Sequence, residues 1–419
     1  MSDAAPRSLA RRARRRGSLP ALAAAALVLA SIAGEPRAAP TEESPLDWVT
    51  LDPSRLRSWT ARPVPHQPGR LELTPRHPGD SPGPPVLVVF SYQSSAYDTA
   101  IDHILDGFAK RGLGRAFDLI NLAYDEALVR SRLAAAQEGA YGLVFTMGSE
   151  ATDFVLANGF VDGPRGPAFV SVCAKDPVRL GQVADYEHGS GRRIAFTSLD
   201  VPTAVHLSYF KMLRPQLERV GVIFAEANES AIRTQVEPLI EAGARDGVEI
   251  IEIGIEDTDP DSSELRERLG AAIEAIHDED PDFERSLLWI TGSTSIFQHV
   301  ATIHELADAD GPGLPVLSVS PSLVDGTEDG VALSIGASFE QNAELAVLHA
   351  AKILRGEARA GELEVGVVTP PDISIDFRRA RETGLRVPFR FFEQASEIYD
   401  YHGRRVRSEG RKVEGAEPR

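Results

Sequence analysis

From Val86 onward, short unbroken apolar runs alternate with segments in which apolar residues recur at helical spacing. Val86 to Ser91 reads as a strand buried on both faces, and Ile101, Ile104, Leu105 and Phe108 then share one face of a helix. The cycle continues with strands at 117–122, 142–147 and 168–173, separated by helices at 125–138 and 149–158. A second series opens after a strand at 194–198. Its helices, at 204–213, 231–245, 263–277 and 296–308, alternate with strands at 220–225, 248–253, 287–291 and 314–319. The pattern returns once more with a strand at 331–336, a helix at 340–354 stopped by Gly356, and a strand at 364–369. This alternation predicts an α/β fold of two Rossmann-like lobes, each with a parallel sheet covered by helices. A returning tail is expected when two lobes share more than one hinge crossing.

The ends lie outside that pattern. Arginines crowd Arg7 to Arg16, and a small-residue apolar run from Leu19 to Ile32 follows. That run is shorter than the ~20 residues a spanning helix needs, so 1–33 is read as a secretory signal peptide cleaved near Ala33. Residues 34–85 are rich in proline and charge and read as a leader, although the apolar pieces between Leu46 and Leu56 have the means to pack. Lobe one is expected at 86–197 plus 338–360, and lobe two at 198–337 plus 361–395. Phe389, Phe391, Phe392, Tyr399 and Tyr401 are expected to finish the second lobe's surface, with 396–419 as a flexible tail.

Charge narrows the function. The formal net charge is −18, and losing the six arginines and one aspartate of 1–33 takes it to −23. So acidic a chain argues against nucleic acid or an anionic membrane as partner. Cys173 is the single cysteine, which excludes an internal disulfide and leaves no cysteine after the signal for a lipid anchor.

In open α/β sheets ligands bind beyond the carboxyl ends of the strands, and those positions are small and polar here. The candidates are Ser91, Tyr92, Gln93 and Tyr97 after the first strand, Gly148, Ser149 and Glu150 after the third, then Asp176, Thr197 and Ser198. From the second series come Asn228, Ser230, Thr291, Gly292, Ser293 and Ser320. Taken singly, such residues are ordinary helix caps; their recurrence on one edge of both sheets points to a ligand cleft. Tyr92 and Tyr97 are placed to stack on a planar ligand or simply to pack, and Cys173 reads as a small core residue.

The order of several motifs carries a resemblance. Val172-Cys173-Ala174-Lys175-Asp176-Pro177-Val178 with Gly181, Ile194-Ala195-Phe196-Thr197, Leu213-Arg214-Pro215, Val220-Gly221-Val222-Ile223 and Asn228-Glu229-Ser230 follow one another in turn. Ala350-Ala351-Lys352-Ile353-Leu354-Arg355-Gly356-Glu357, Ala380 and Gly384-Leu385-Arg386-Val387-Pro388 come later. From Val86 to Pro388 the chain resembles the ABC transporter substrate-binding family that includes tryptophan- and tyrosine-type binding proteins. The resemblance implies a periplasmic-binding-protein fold of the first type, three hinge crossings, and a small organic ligand such as an amino acid gripped between the lobes. It also implies an ABC permease as partner and a periplasmic or secreted, monomeric chain without cofactor. Gly148-Ser149 matches the family's glycine-threonine turn, where helix N-terminal donors can hold a carboxylate, and Thr291 to Ser293 matches the second lobe's loop. Two departures stand out: Glu150-Ala151 replaces proline-alanine, and Thr291-Gly292-Ser293 stands where the family often has an aspartate.

Enzyme and metal motifs fail. Gly148-Ser149-Glu150-Ala151 lacks the second glycine of a nucleophile elbow, and no phosphate loop or complete dinucleotide fingerprint occurs. His299 and His304 are five apart, off the spacing of a zinc pair, and Asp257, Asp259 and Asp261 begin a calcium loop that Ser262 and Arg268 do not continue. Catalysis and metal binding are therefore not expected. A transport receptor and a ligand-sensing subunit for a membrane partner both fit the clamp.

Overall fold

The computed structural model describes residues 48–77, 83–259, 263–308, 313–408 and 410–413. The expected signal peptide therefore lies outside the described residues, as do the first part of the leader and the last six residues of the tail.

The chain begins with a hairpin, β1 (Trp59–Pro63) and β2 (Arg70–Pro75), before the alternation sets in. Then follow β3 (Val86–Phe90), α1 (Ser95–Lys110), β4 (Phe117–Asn121), α2 (Glu126–Gln137), β5 (Leu143–Met147), α3 (Ser149–Ala157), β6 (Ala168–Val172) and β7 (Ile194–Ser198). After a first crossing come α4 (Thr203–Leu213), β8 (Arg219–Ala225), α5 (Glu229–Ala231), a π-helical turn (Ile232–Val236), α6 (Glu237–Asp246), β9 (Glu249–Ile255) and α7 (Glu264–Glu279). The second lobe continues through β10 (Ser286–Ile290), α8 (Thr294–Phe297), α9 (Val300–Ala307), β11 (Val316–Ser318) and β12 (Leu333–Gly336). The chain then returns to the first lobe with α10 (Phe339–Leu354) and β13 (Gly366–Val367). It crosses a third time to β14 (Asp372–Asp376), α11 (Phe377–Glu382), α12 (Phe389–Gln394), β15 (Glu397–Tyr399), β16 (Arg405–Ser408) and β17 (Arg411–Lys412).

Two sheets result. The first runs β1-β2-β4-β3-β5-β6-β7-β13 and the second β17-β16-β15-β14-β12-β11-β10-β8-β9. From β4 to β13 and from β9 to β12 all neighbours are parallel, as the unbroken apolar runs predict. Every residue of β3, β4, β5, β7 and β10 is buried. Asn342, on α10, ties the first crossing together: its amide donates to the Ser198 carbonyl at 2.9 Å, and its oxygen accepts from the Cys173 N–H at 2.8 Å.

Three boundaries differ from expectation. The leader is not a tether throughout, because β2 pairs antiparallel with β4 and buries Leu71 and Leu73 completely. Trp48 packs edge-on to Phe90 and Trp59 edge-on to Phe117. Two apolar residues alternating with polar ones are enough to seal a sheet edge, a signal too brief to stand out in a proline-rich stretch. Residues 361–367 belong with the first lobe, where β13 pairs β7. The tail from Glu397 to Lys412 pairs into the second sheet, with Ile398 buried against its core.

Candidate functional site

The first crossing, through Leu199, Asp200 and Val201, and the second, through Gly336 and Ala337, line a cleft of about 440 Å³ between the lobes. Of the predicted residues, Tyr92, Gln93, Tyr97, Ser149, Glu150, Asn228, Ser230, Gly292 and Ser320 line it. The first lobe offers an aromatic wall: Tyr92 and Tyr97 lie 5.3 Å apart between ring centroids, and Tyr97 leans on Phe90. Burial, with Tyr92 and Glu150 nearby, pushes the Tyr97 phenol up, so it stays protonated as a donor.

α3 opens onto the cleft through a turn that only glycine fits. Gly148 has φ +98°, and a Cβ there would meet Tyr97 Oη and Ser91 Oγ. Ser91 lies behind the turn: its hydroxyl donates to the Met147 carbonyl at 3.0 Å and accepts the Ala151 N–H at 2.9 Å, taking one of the helix's free donors. Ser149 is not a side-chain cap; its Oγ accepts the Lys175 backbone N–H at 3.0 Å across to the loop after β6.

Six other candidates are used inside the lobes and do not line the cleft. Asp176 accepts from Val178 and Arg179 N–H groups and from the Tyr186 hydroxyl, and burial raises its pKa. The one proton of Thr197 Oγ1 is shared between the Ser171 carbonyl at 2.9 Å and Asn342 Oδ1 at 3.0 Å. Ser198 closes a small loop with Asp200. Thr291 donates to the Ile223 carbonyl, and Ser293 contacts Thr291 and Asn228. A small hydroxyl at a strand end reaches the neighbouring strand's carbonyl sooner than it reaches solvent, which is why these side chains turn inward. Gly148, the sixth, shapes the turn without lining the cleft.

Sequence reasoning missed the polar centre of the cleft. Asp200, on the first crossing, accepts the Asp176 N–H at 2.9 Å, Gln235 Nε2 at 2.6 Å and Lys175 Nζ at 3.5 Å. Gln235 in turn accepts the Gly292 N–H at 2.7 Å. A relay therefore runs from the first lobe through the crossing to the second. Lys175 Nζ lies so close to Gly292 that a Cβ there would stand 2.1 Å away. Lys175 and Asp200 each sit beside a nominated residue, so their neighbourhood was legible and their direction was not. Gln235 is turned inward by the π-helical turn, an irregularity frequent at functional sites. His206, Phe297 and Phe339 complete the walls, and Cys173, held at φ +55°, adds a buried thiol whose pKa burial raises.

No protein-family model matches the chain, and no curated protein matches it. Solved structures do. The ABC domain from Streptococcus pneumonia in complex with L-Trp shares 18% identity with a TM-score of 0.58, over 75% of this chain and 99% of that one. A ligand-free, open substrate binding protein with adhesive properties from Clostridium difficile gives 18% and 0.59, over 76% and 99%. A conserved domain protein from Vibrio cholerae gives 18% and 0.56, over 75% and 99%. The fold is that of the periplasmic binding proteins of the first type. The three crossings and the two lobes around one cleft are features of that fold. Among the described residues no helix is long and apolar enough to cross a membrane, and no group of three or more acidic, histidine or cysteine side chains is arranged to hold a metal ion.

Proposed function

We propose that the chain is an exported solute-binding receptor that closes on a small organic solute, an amino acid or a close relative, and delivers it to an ABC permease. The observation that carries this reading is the paired charge at the cleft's centre. Lys175 and Asp200 supply one cation and one anion within a single cleft, both almost shielded from solvent, where the partners of a zwitterion would be needed. The first turn of α3 lies beside them and presents Ser149 and Glu150 to the cleft, with its dipole favouring a carboxylate. Tyr92, Phe297 and Phe339 give the remaining walls an apolar character suited to a side chain. The relay through Asp200 and Gln235 gives closure a structural basis, because both lobes and the crossing share it. Nothing in the cleft pairs a nucleophile with a base: His206 is held by a backbone carbonyl, and the Cys173 thiol is buried.

A thermal-shift panel of amino acids, aromatic acids, nucleosides and small peptides tests the proposal. A bound solute at about 100 times its Kd adds roughly 2.7 kcal/mol of stability, and mass spectrometry should recover it unchanged. No shift across the panel would sink the receptor reading. Ser149→Ala should weaken binding by roughly 1.5–3 kcal/mol if its hydroxyl meets a charged group, and Glu150→Gln reports whether that carboxylate repels an anion or contacts a cationic group. Export is tested by the mass of the protein recovered from the cell envelope; an intact Met1 refutes cleavage near Ala33.

A further inference from the structure

The charged side chains that line the cleft are Glu150, Lys175 and Asp200, since burial lowers the His206 pKa to about 4 and leaves that ring neutral at ordinary pH. Lys175 and Asp200 face one another at 3.5 Å and cancel, and Asp200 is engaged further by Gln235 and the Asp176 N–H. Glu150 is left over. It is exposed in the first turn of α3, and among the described residues its carboxylate has no hydrogen bond or ion pair. The charged groups that act on Asp153, one turn on, are Glu150, Glu229 and Arg233, two carboxylates to one guanidinium, so the rim supplies no surplus cation. Glu150 also stands beside aromatic rings. Its charge reaches the Tyr97 phenol together with that of Tyr92, and the two tyrosine rings lie 5.3 Å apart. Aromatic faces attract cations, most strongly where water is thin.

A wider groove of about 1060 Å³ adjoins the cleft and shares Ser95, Ala96, Ser320, Ser322 and Phe339 with it. Its walls carry six carboxylates, among them Glu340, Glu344 and Asp372, against the guanidiniums of Arg405 and Arg407. Cleft and groove thus have the same sign, and a concave surface of one sign concentrates ions of the other. We infer that the cleft selects organic monocations over their neutral isosteres and over anions, with the solute's ammonium or guanidinium group held by Glu150 against the Tyr92 and Tyr97 rings. A zwitterion leaves the cleft one negative charge out of balance. A basic amino acid or an alkylated amine balances it, and a dicarboxylate adds to the excess. A carboxylate in the first turn of a helix also complements the helix dipole, but that role alone moves the stability of the free protein and leaves selectivity untouched. This inference rests on the receptor reading and names the charge of its solute.

Probes that differ in charge and hardly in shape test it. L-arginine is compared with L-citrulline, choline with its uncharged carbon isostere 3,3-dimethylbutanol, and L-glutamine with L-glutamate, by calorimetry on wild type and Glu150→Gln. If the panel above yields another cation, that solute and its uncharged isostere join the pairs. Wild type should bind the cation of a pair roughly tenfold or more tightly, the worth of one charged hydrogen bond, and should bind L-glutamine more tightly than L-glutamate. Glu150→Gln, which keeps the shape of the side chain and removes its charge, should lose most of that preference while binding the uncharged members as before. A preference unchanged in Glu150→Gln overturns the inference. So does a wild type that treats both members of each pair alike, or whose tightest solute is neutral overall or anionic; in each case the receptor reading stands. A wild type that binds nothing overturns both. Melting curves of the two free proteins isolate the helix-dipole role: lower stability with selectivity intact returns Glu150 to that role and refutes the assignment.

Discussion

The two lobes share a parallel core but present different chemistry to the cleft. The first lobe turns several strand hydroxyls inward: Thr146 and Ser171 each bond Thr152 of α3, and Thr197 reaches the Ser171 carbonyl and Asn342. What it offers the cleft is Tyr92 and Tyr97, the N-terminal turns of α1 and α3, Gln93 and Lys175. The second lobe offers amides, hydroxyls and an imidazole, through Asn228, Ser230, Gln235, Ser320 and His206. Their outer edges differ as well. The first sheet is finished by a hairpin that precedes the alternating series, the second by strands that follow it. The comparison teaches that one repeated βα pattern sets the frame of both lobes, while cleft and edges are set by residues the pattern does not govern.

The edge comparison breaks most easily in the core. Leu71→Ala removes a fully buried side chain of the first lobe's hairpin, and Ile398→Ala does the same beside the last strands of the second. Each should cost about 2–5 kcal/mol. Urea unfolding followed by tryptophan fluorescence assigns the loss, since Trp48 and Trp59 report the first lobe and Trp289 the second. A cost under about 0.5 kcal/mol for Leu71→Ala would return the hairpin to the status of a tether.

Titration comes next. His206 folds with a pKa of about 4 against about 6.5 in the unfolded chain, so between those values the unfolded state binds more protons. Its contribution is complete above pH 6.5 and is lost as pH falls toward 4, by about 3 kcal/mol at the lower end. His206→Gln, which has no such titration, should therefore lose less stability than wild type between pH 7 and pH 4. Equal slopes by urea titration would contradict the buried, neutral ring.

Gln235→Ala sharpens the comparison at the cleft. It cuts the relay between Asp200 and Gly292 and leaves a backbone N–H of the second lobe unpaired. A loss of about 1–3 kcal/mol is expected, together with a more open particle in solution scattering if the relay holds the lobes together. The smallest effect belongs to the surface of the first lobe, where Arg130 and Glu126 pair at i,i+4 on α2. Arg130→Ala should cost about 0.3–0.5 kcal/mol through that pair, plus whatever its stacking over Phe154 adds.

Much of this was determined by the sequence alone. Largely apolar runs without alternation, such as Val86–Phe90 and Leu143–Met147, suit a parallel sheet covered on both faces, and the helical spacing of Ile101, Ile104, Leu105 and Phe108 leaves α1 one face to pack. That the lobes share more than one crossing was legible from the returning segments after Val331, while the number three came only with the family resemblance. Tertiary structure alone decided which polar side chains meet in the cleft. Thr197, Ser198 and Thr291 carry hydroxyls at the ends of strands as Ser149 and Ser320 do, yet a neighbouring carbonyl or loop claims them first. Gln235 depends on a local shift in helix register, and Lys175 on a bare glycine, Gly292, far along the chain in the other lobe, close only once both lobes are in place. Sequence period records burial, one residue at a time; hydrogen-bond partners are set by distances between segments that share no period.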